Sequence, residues 1–135
     1  MAETFTVRSY AKGVDIAPRK VAIVASLVRN RTVADAFVIL DHVPRRASLP
    51  VKKAIASAQA NAINNHGLDG KTLVISTLSV SVGTRLKRFK PVAKGRALAF
   101  EKKTSNILVE VTGAEKPKKQ PAAKPAATEK AKETK

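Results

Sequence analysis

Few side chains in this 135-residue chain could do covalent chemistry. There is no cysteine, which removes disulfides, thiolate zinc sites and thiol catalysis together. The two histidines, His42 and His66, fall late in one amphipathic segment and just after another. Both positions suit a structural or ligand-facing ring better than a general base. Asp15, Asp35, Asp41 and Asp69 are scattered singly, without the paired spacing that two-metal phosphoryl chemistry needs. No phosphate loop and no dinucleotide fingerprint is present. An enzyme would have no residues to work with, and neither a metal nor a cofactor is implied.

What remains is cationic. Lysine and arginine number 26 against 10 acids, a net charge of +16. Such a balance points to nucleic acid or an anionic surface. The charge is concentrated in residues 84–103, TRLKRFKPVAKGRALAFEKK, with eight basic residues and one acid, Glu101. Residues 70–100 hold seven basic residues and no acid at all. A folded surface usually mixes signs to limit self-repulsion, so a one-sign segment of this length suggests an anionic partner.

The elements that would position these cations follow from periodicity. LVISTLSVSV (73–82) alternates apolar with small polar residues, and NILVEV (106–111) alternates again. Two period-2 runs around a basic middle with Gly and Pro read as a long β-hairpin whose arm spans about residues 78–104. TFTVRSYA (4–11) supplies a third strand, completing an antiparallel sheet, and Lys12–Gly13 reads as a turn. Three helices lie between. The first starts at Pro18 and carries a stripe of Val21, Val24, Ala25 and Val28, widened by Leu27. Thr32 with Asp35 forms a capping-box-like start for the second, which buries Ala36, Phe37, Leu40 and Val43. The third begins near Ser48 as cap, with Pro50 in its first turn, packs Val51, Ile55, Ala58, Ala62 and Ile63, and stops at Gly67.

This is an α+β domain over residues 1–113. After Gly113 only Ala, Pro, Lys, Glu, Gln and Thr occur, so residues 114–135 form a basic tail expected to be disordered. The longest apolar run, residues 21–28, is too short to cross a membrane, no secretory signal region is read, and a cytoplasmic location fits. Arg19 and Lys20 begin the first helix and Lys52 and Lys53 lie early in the third, where cations oppose the helix dipole by about 0.3–1 kcal/mol each. Phosphate oxygens would reverse that sign. Arg45 and Arg46 precede the third helix. With Arg85, Lys87, Arg88, Lys90, Lys94, Arg96, Lys102 and Lys103 of the basic segment, these residues are the candidate nucleic-acid-binding set.

Four stretches carry a resemblance: APRKV (17–21), NAINNHGLD (61–69), LKRFKPVAKGRA (86–97) and KKTSNILVEV (102–111). In order and spacing they resemble the universal large-subunit ribosomal protein family numbered twenty-two, over about residues 4–112. The resemblance implies three helices packed on a three-stranded antiparallel sheet with a long protruding β-hairpin. It implies a structural, non-enzymatic protein of the large ribosomal subunit that binds 23S-type ribosomal RNA and takes part early in assembly. Its hairpin would line the polypeptide exit tunnel, with Leu86, Lys87, Arg88, Phe89, Lys90, Pro91 and Val92 nearest the tip. The implied partners are that RNA, neighbouring large-subunit proteins and the nascent polypeptide; no membrane and no homo-oligomer is expected. The chain departs from the family pattern at Ser81–Val82, where an acidic pair is common, at Asn106, where His is usual, and at the apolar Ala97, Leu98, Ala99 and Phe100. The rival reading is an architectural DNA-binding protein with a basic β-arm.

Overall fold

In the computed structural model, which describes residues 5–114, alternation and helical periodicity resolve into six main elements. Strand β1 (Phe5–Val14) is followed by helices α1 (Pro18–Val28), α2 (Val33–His42) and α3 (Ser48–His66). Strand β2 (Val74–Pro91), a single 3-10 turn (Ala93–Gly95) and β3 (Ala97–Gly113) complete the chain. The sheet is antiparallel in the order β1-β3-β2, so β3 is the central strand. Residues of the expected tail beyond Ala114 lie outside the described residues.

The core lies between the helices and one face of the sheet. Along β3, Ser105, Ile107, Val109 and Val111 are buried, while Asn106, Leu108 and Glu110 between them are only half-buried. That alternation is the pleat of a sheet covered on one side. Helix α1 has Pro at its first position, where the absent N–H breaks no helical bond, and buries Val21, Val24, Ala25 and Val28. Leu27 does not widen the stripe: it is 44% exposed. At 3.6 residues per turn it sits roughly 110° around the helix from the stripe's centre, too far to reach the sheet.

Thr32 caps α2 as its spacing suggests. Its Oγ1 accepts from the Asp35 N–H at 3.2 Å and donates to Asp35 Oδ2 at 2.7 Å. Ala36 and Leu40 are fully covered, and Phe37 and Val43 pack against the core at its margin. Helix α3 starts where expected, but Ser48 is not its cap. The cap position is Ala47, and Ser48 turns its hydroxyl back to donate to the Arg45 carbonyl at 2.7 Å. Pro50 stands third in the helix, where its missing N–H again has no intrahelical partner to lose, and the helix runs on unbroken to His66. Gly67 ends the helix in the left-handed region at φ 62°. The Leu68 N–H bonds to the Ala62 carbonyl at 3.1 Å, and the Leu68 side chain is fully buried.

Lys12–Gly13 is not a turn but a bulge. Ala11 pairs with Ile107 and Val14 with Ser105, so two residues of β1 face the single residue Asn106. Gly13 has φ 69°, and its N–H donates to Asn106 Oδ1 at 2.9 Å, which lets the strand continue past it. The other outer strand bulges next to it: Val82 pairs with Ser105 and Arg85 with Lys103, so Gly83 and Thr84 face Thr104 alone. Gly83 is needed there because a Cβ would stand 2.5 Å from Thr104 Oγ1. Between the two bulges Ser105 Oγ is buried without a partner, the one such atom among the described residues. Beyond this point the body ends and β2 and β3 continue alone.

Candidate nucleic-acid interface

Past the bulges, pairing runs without a break from Arg85↔Lys103 to Pro91↔Ala97. Every residue from 84 to 103 is exposed. A strand advances about 3.3 Å per residue, so this arm reaches roughly 30 Å beyond the body. Its turn is closed by the Val92 N–H donating to the Arg96 carbonyl at 2.8 Å, with Lys94 at φ 62° and Gly95 at φ 68°. The apex is therefore Ala93–Gly95, and the tip expected at residues 86–92 is displaced: Leu86 to Pro91 climb the shaft and Val92 enters the turn. Pro91 ends β2 without supplying an N–H, while Lys94, reached by no periodic pattern, stands at the summit.

At the base of the arm a cleft of about 690 Å³ opens between body and hairpin. Lys20 from the start of α1, Arg45 and Arg46 from the α2–α3 connection, and Lys102 and Lys103 from β3 line it, with Asp15 as its one carboxylate. Five cations facing one acid give the cleft a strongly positive potential. Lys102 Nζ meets Asp15 Oδ2 at 3.1 Å, an exposed pair that ties the arm to the loop before α1. Helix α1 presents its first turn beside this cleft with no acid in it and no side-chain cap on Ala17. Its free N–H groups add positive potential to the same space.

The structure thus brings Lys20, Arg45, Arg46, Lys102 and Lys103 together from positions up to 83 apart in the numbering. Arg19 is exposed in the first turn of α1 but does not line the cleft. Lys52 and Lys53 do not repeat the α1 arrangement. They stand fifth and sixth in α3, beyond its first turn, and Lys52 is engaged within the protein. Its ammonium pairs with Asp41 of α2 and lies 5.9 Å from the Phe37 ring centroid. On the arm, Arg85 is 3.6 Å from Glu101, and Arg88 donates to the neighbouring Lys87 carbonyl at 2.8 Å. Lys87, Lys90, Lys94 and Arg96 form no ion pair among the described residues.

Asp15 is the cleft member that sequence reasoning missed. Its partner Lys102 is 87 positions away, and nothing local to Asp15 signals the pairing. His42 and His66 close α2 and α3 as exposed residues. Among the described residues no group of three His, Asp or Glu side chains could hold a metal ion, and no helix is long and apolar enough to cross a membrane.

The fold is a small α+β body carrying a basic arm, with a cationic cleft at their junction. The chain belongs to the ribosomal protein L22p/L17e family, whose pattern it matches over residues 9–112. It is similar to the large ribosomal subunit protein uL22 of Pediococcus pentosaceus, 50% identical over 113 residues that cover 83% of this chain and 96% of that protein. It is likewise similar to the protein of the same name from Oceanobacillus iheyensis, 49% identical over 105 residues, 78% of this chain and 93% of that one.

Proposed function

We propose that this protein is a structural constituent of the large ribosomal subunit in the cytoplasm, that residues 1–113 bind large-subunit ribosomal RNA during early assembly, and that the arm lines the polypeptide exit tunnel. Neighbouring large-subunit proteins and the nascent polypeptide are its further partners. The observation that carries the reading is the arm itself: an exposed two-stranded ribbon, overwhelmingly of one charge sign and without a second layer, attached to a body that folds around its own core. Such a ribbon is marginal alone in water. Phosphates on either side would remove its self-repulsion and order it. Recognition rests on phosphate neutralisation and RNA shape rather than on reading duplex sequence. Because successive side chains on a strand face opposite ways, alternate positions within residues 86–92 face the lumen and the others face its RNA wall.

The cross-strand register supplies the test. Joining Arg85 to its partner Lys103 through a two-residue Asn-Gly turn removes the distal arm and leaves no strand unpaired. Subunits assembled with this variant should retain it through a moderate salt wash, because the cleft and helices keep their place on the RNA. Passage of stalling peptides and protection by tunnel-binding drugs should change. Normal retention with an unaltered tunnel response would overturn the tunnel assignment, and failure of the full chain to prefer folded ribosomal RNA over duplex DNA at physiological salt would overturn RNA binding altogether.

A further inference from the structure

The chain has five aromatic rings, four Phe and one Tyr. Three of them carry a lysine ammonium from the protein itself: Lys12 lies 5.5 Å from the Tyr10 centroid, Lys52 5.9 Å from Phe37 and Lys90 4.9 Å from Phe100. Phe89 has no such cover among the described residues, and at 73% it is the most exposed large apolar side chain of the molecule's described part. Its partner across the ribbon is Ala99, too small to shield a ring. Exposing a Phe to this degree forgoes about 1.5–3 kcal/mol of burial, so folding gives no reason for it.

Register places Arg85, Lys87 and Phe89 on one face of the arm with Lys103, Glu101 and Ala99. A groove of about 560 Å³ runs along the ribbon, lined by Lys87, Phe89, Glu101 and Lys103 of this face and by Arg88 and Phe100, which the register assigns to the other. Its only acid, Glu101, is held toward Arg85. The groove thus offers an open π-face flanked by cations. A base is flat and apolar on its faces and carries its phosphate one sugar away. Base–aromatic stacking with phosphate pairing alongside is how single-stranded nucleic acid is held without sequence preference. An apolar peptide would fit the ring but not its charged surroundings; an acidic peptide would fit the charges but not the ring.

We propose that Phe89 is a stacking platform for an unpaired RNA base, with Lys87 and Lys103 taking the adjacent phosphates. The inference rests on the RNA-binding reading above and adds to it the kind of nucleotide this face accepts. Tyr10 and Phe100 are excluded from the same role because their rings are already occupied by Lys12 and Lys90.

The chain has no tryptophan, so Phe89→Trp in the full-length protein places a single reporter at the site. Titration with a single-stranded 12-nucleotide adenylate RNA should quench its emission. A fully paired RNA duplex of equal charge and poly-glutamate should not. Phe89→Ala should weaken binding of the single-stranded RNA about 5- to 150-fold while leaving the salt slope unchanged, since it removes a stack and leaves the phosphate pairing in place. Phe89→Tyr should restore affinity and Phe89→Leu should not. Circular dichroism of each variant should match wild type, because no buried atom changes. Equal quenching by duplex or poly-glutamate, full affinity in Phe89→Leu, or full affinity in Phe89→Ala would overturn the inference alone. Wild-type protein that binds no RNA would sink the parent reading and this one together.

Discussion

Strands β2 and β3 pass through two environments, and the contrast between them separates folding from function. In the body, alternate residues of β3 from Ser105 to Val111 are buried against the helices. In the arm the same two strands keep their pairing from Arg85↔Lys103 to Pro91↔Ala97, yet no side chain is buried. A one-residue slip in the body would turn Ile107, Val109 and Val111 to solvent, so register there is strongly specified. A slip in the arm would bury and expose nothing. Only the bulge at Gly83–Thr84 and the turn at Ala93–Gly95 hold the arm in register. The body has a core that holds it together; the arm has none of its own.

The largest effect that would test this contrast comes from paired truncations on one strand. Ile107→Ala removes a fully buried side chain from the centre of the sheet and should destabilise the full chain by about 2–5 kcal/mol. Leu98→Ala removes a comparable side chain that is 62% exposed on the arm and should change stability by less than about 0.5 kcal/mol. Urea unfolding followed by circular dichroism measures both. A substantial cost for Leu98→Ala would mean that the arm packs on something in the isolated chain, and the division between body and arm would fail.

The junction gives the next effect in size. Adding a methyl at Gly83 brings Cβ to 2.5 Å from Thr104 Oγ1, 3.1 Å from the Thr104 carbonyl carbon and 3.2 Å from the Ser105 nitrogen. The hydroxyl can rotate away, but only by giving up its 2.7 Å bond to the Thr84 carbonyl, and the backbone atoms cannot move so easily. Gly83→Ala should therefore cost about 1–3 kcal/mol. Adding Thr104→Ala should recover part of that cost but not all, because the crowding against backbone persists. Complete recovery in the double variant would show that the side chain alone sets the need for glycine, and that the bulge is looser than its register suggests.

These two regions also explain what can and cannot be read from the residues. Periodicity reports burial, not strand geometry. It therefore locates β2 and β3 inside the body, through Val82 and from Asn106, and leaves the exposed shaft between them as a hairpin arm with a misplaced tip. Helical stripes are legible wherever a side chain faces the sheet, as Val21, Val24, Ala25 and Val28 do. Leu27 misleads because i+3 spacing from Val24 alone does not fix which side of a stripe a residue joins. Gly13 suggests a turn because its positive φ serves turns and bulges alike; Asn106, 93 residues on, decides between them. The cleft is legible only as separate basic pairs. Its assembly from α1, the α2–α3 connection and β3 is tertiary, and Asp15 belongs to it for reasons no neighbour in the sequence shares. The charge of Lys52 suggests a phosphate partner, yet Asp41 on the adjacent helix holds it.

The smallest effect concerns the one helix start where the body itself is arranged against its own stability. Arg19 and Lys20 stand second and third in α1, the first turn holds no acid, and Ala17 caps nothing with its side chain. Both cations are exposed, so each opposes the helix dipole by about 0.3–1 kcal/mol at low salt. Arg19→Glu and Lys20→Glu should each stabilise the isolated chain by a similar small amount, and the gain should fade as salt screens it. Their effects on RNA should differ. Lys20 lines the cleft with Arg45, Arg46, Lys102 and Lys103, whereas Arg19 does not. Lys20→Glu places an acid among four cations, in the space proposed for phosphate. It should weaken binding to folded ribosomal RNA more than Arg19→Glu does, and reduce the salt slope by about one unit for each phosphate no longer neutralised. Stability and affinity then move in opposite directions in one variant. Equal weakening of RNA binding in the two variants would mean that overall charge, not the cleft, governs binding. Loss of stability in Lys20→Glu with RNA affinity intact would mean that Lys20 serves the packing of the junction, and the cleft would have to be read as part of the fold.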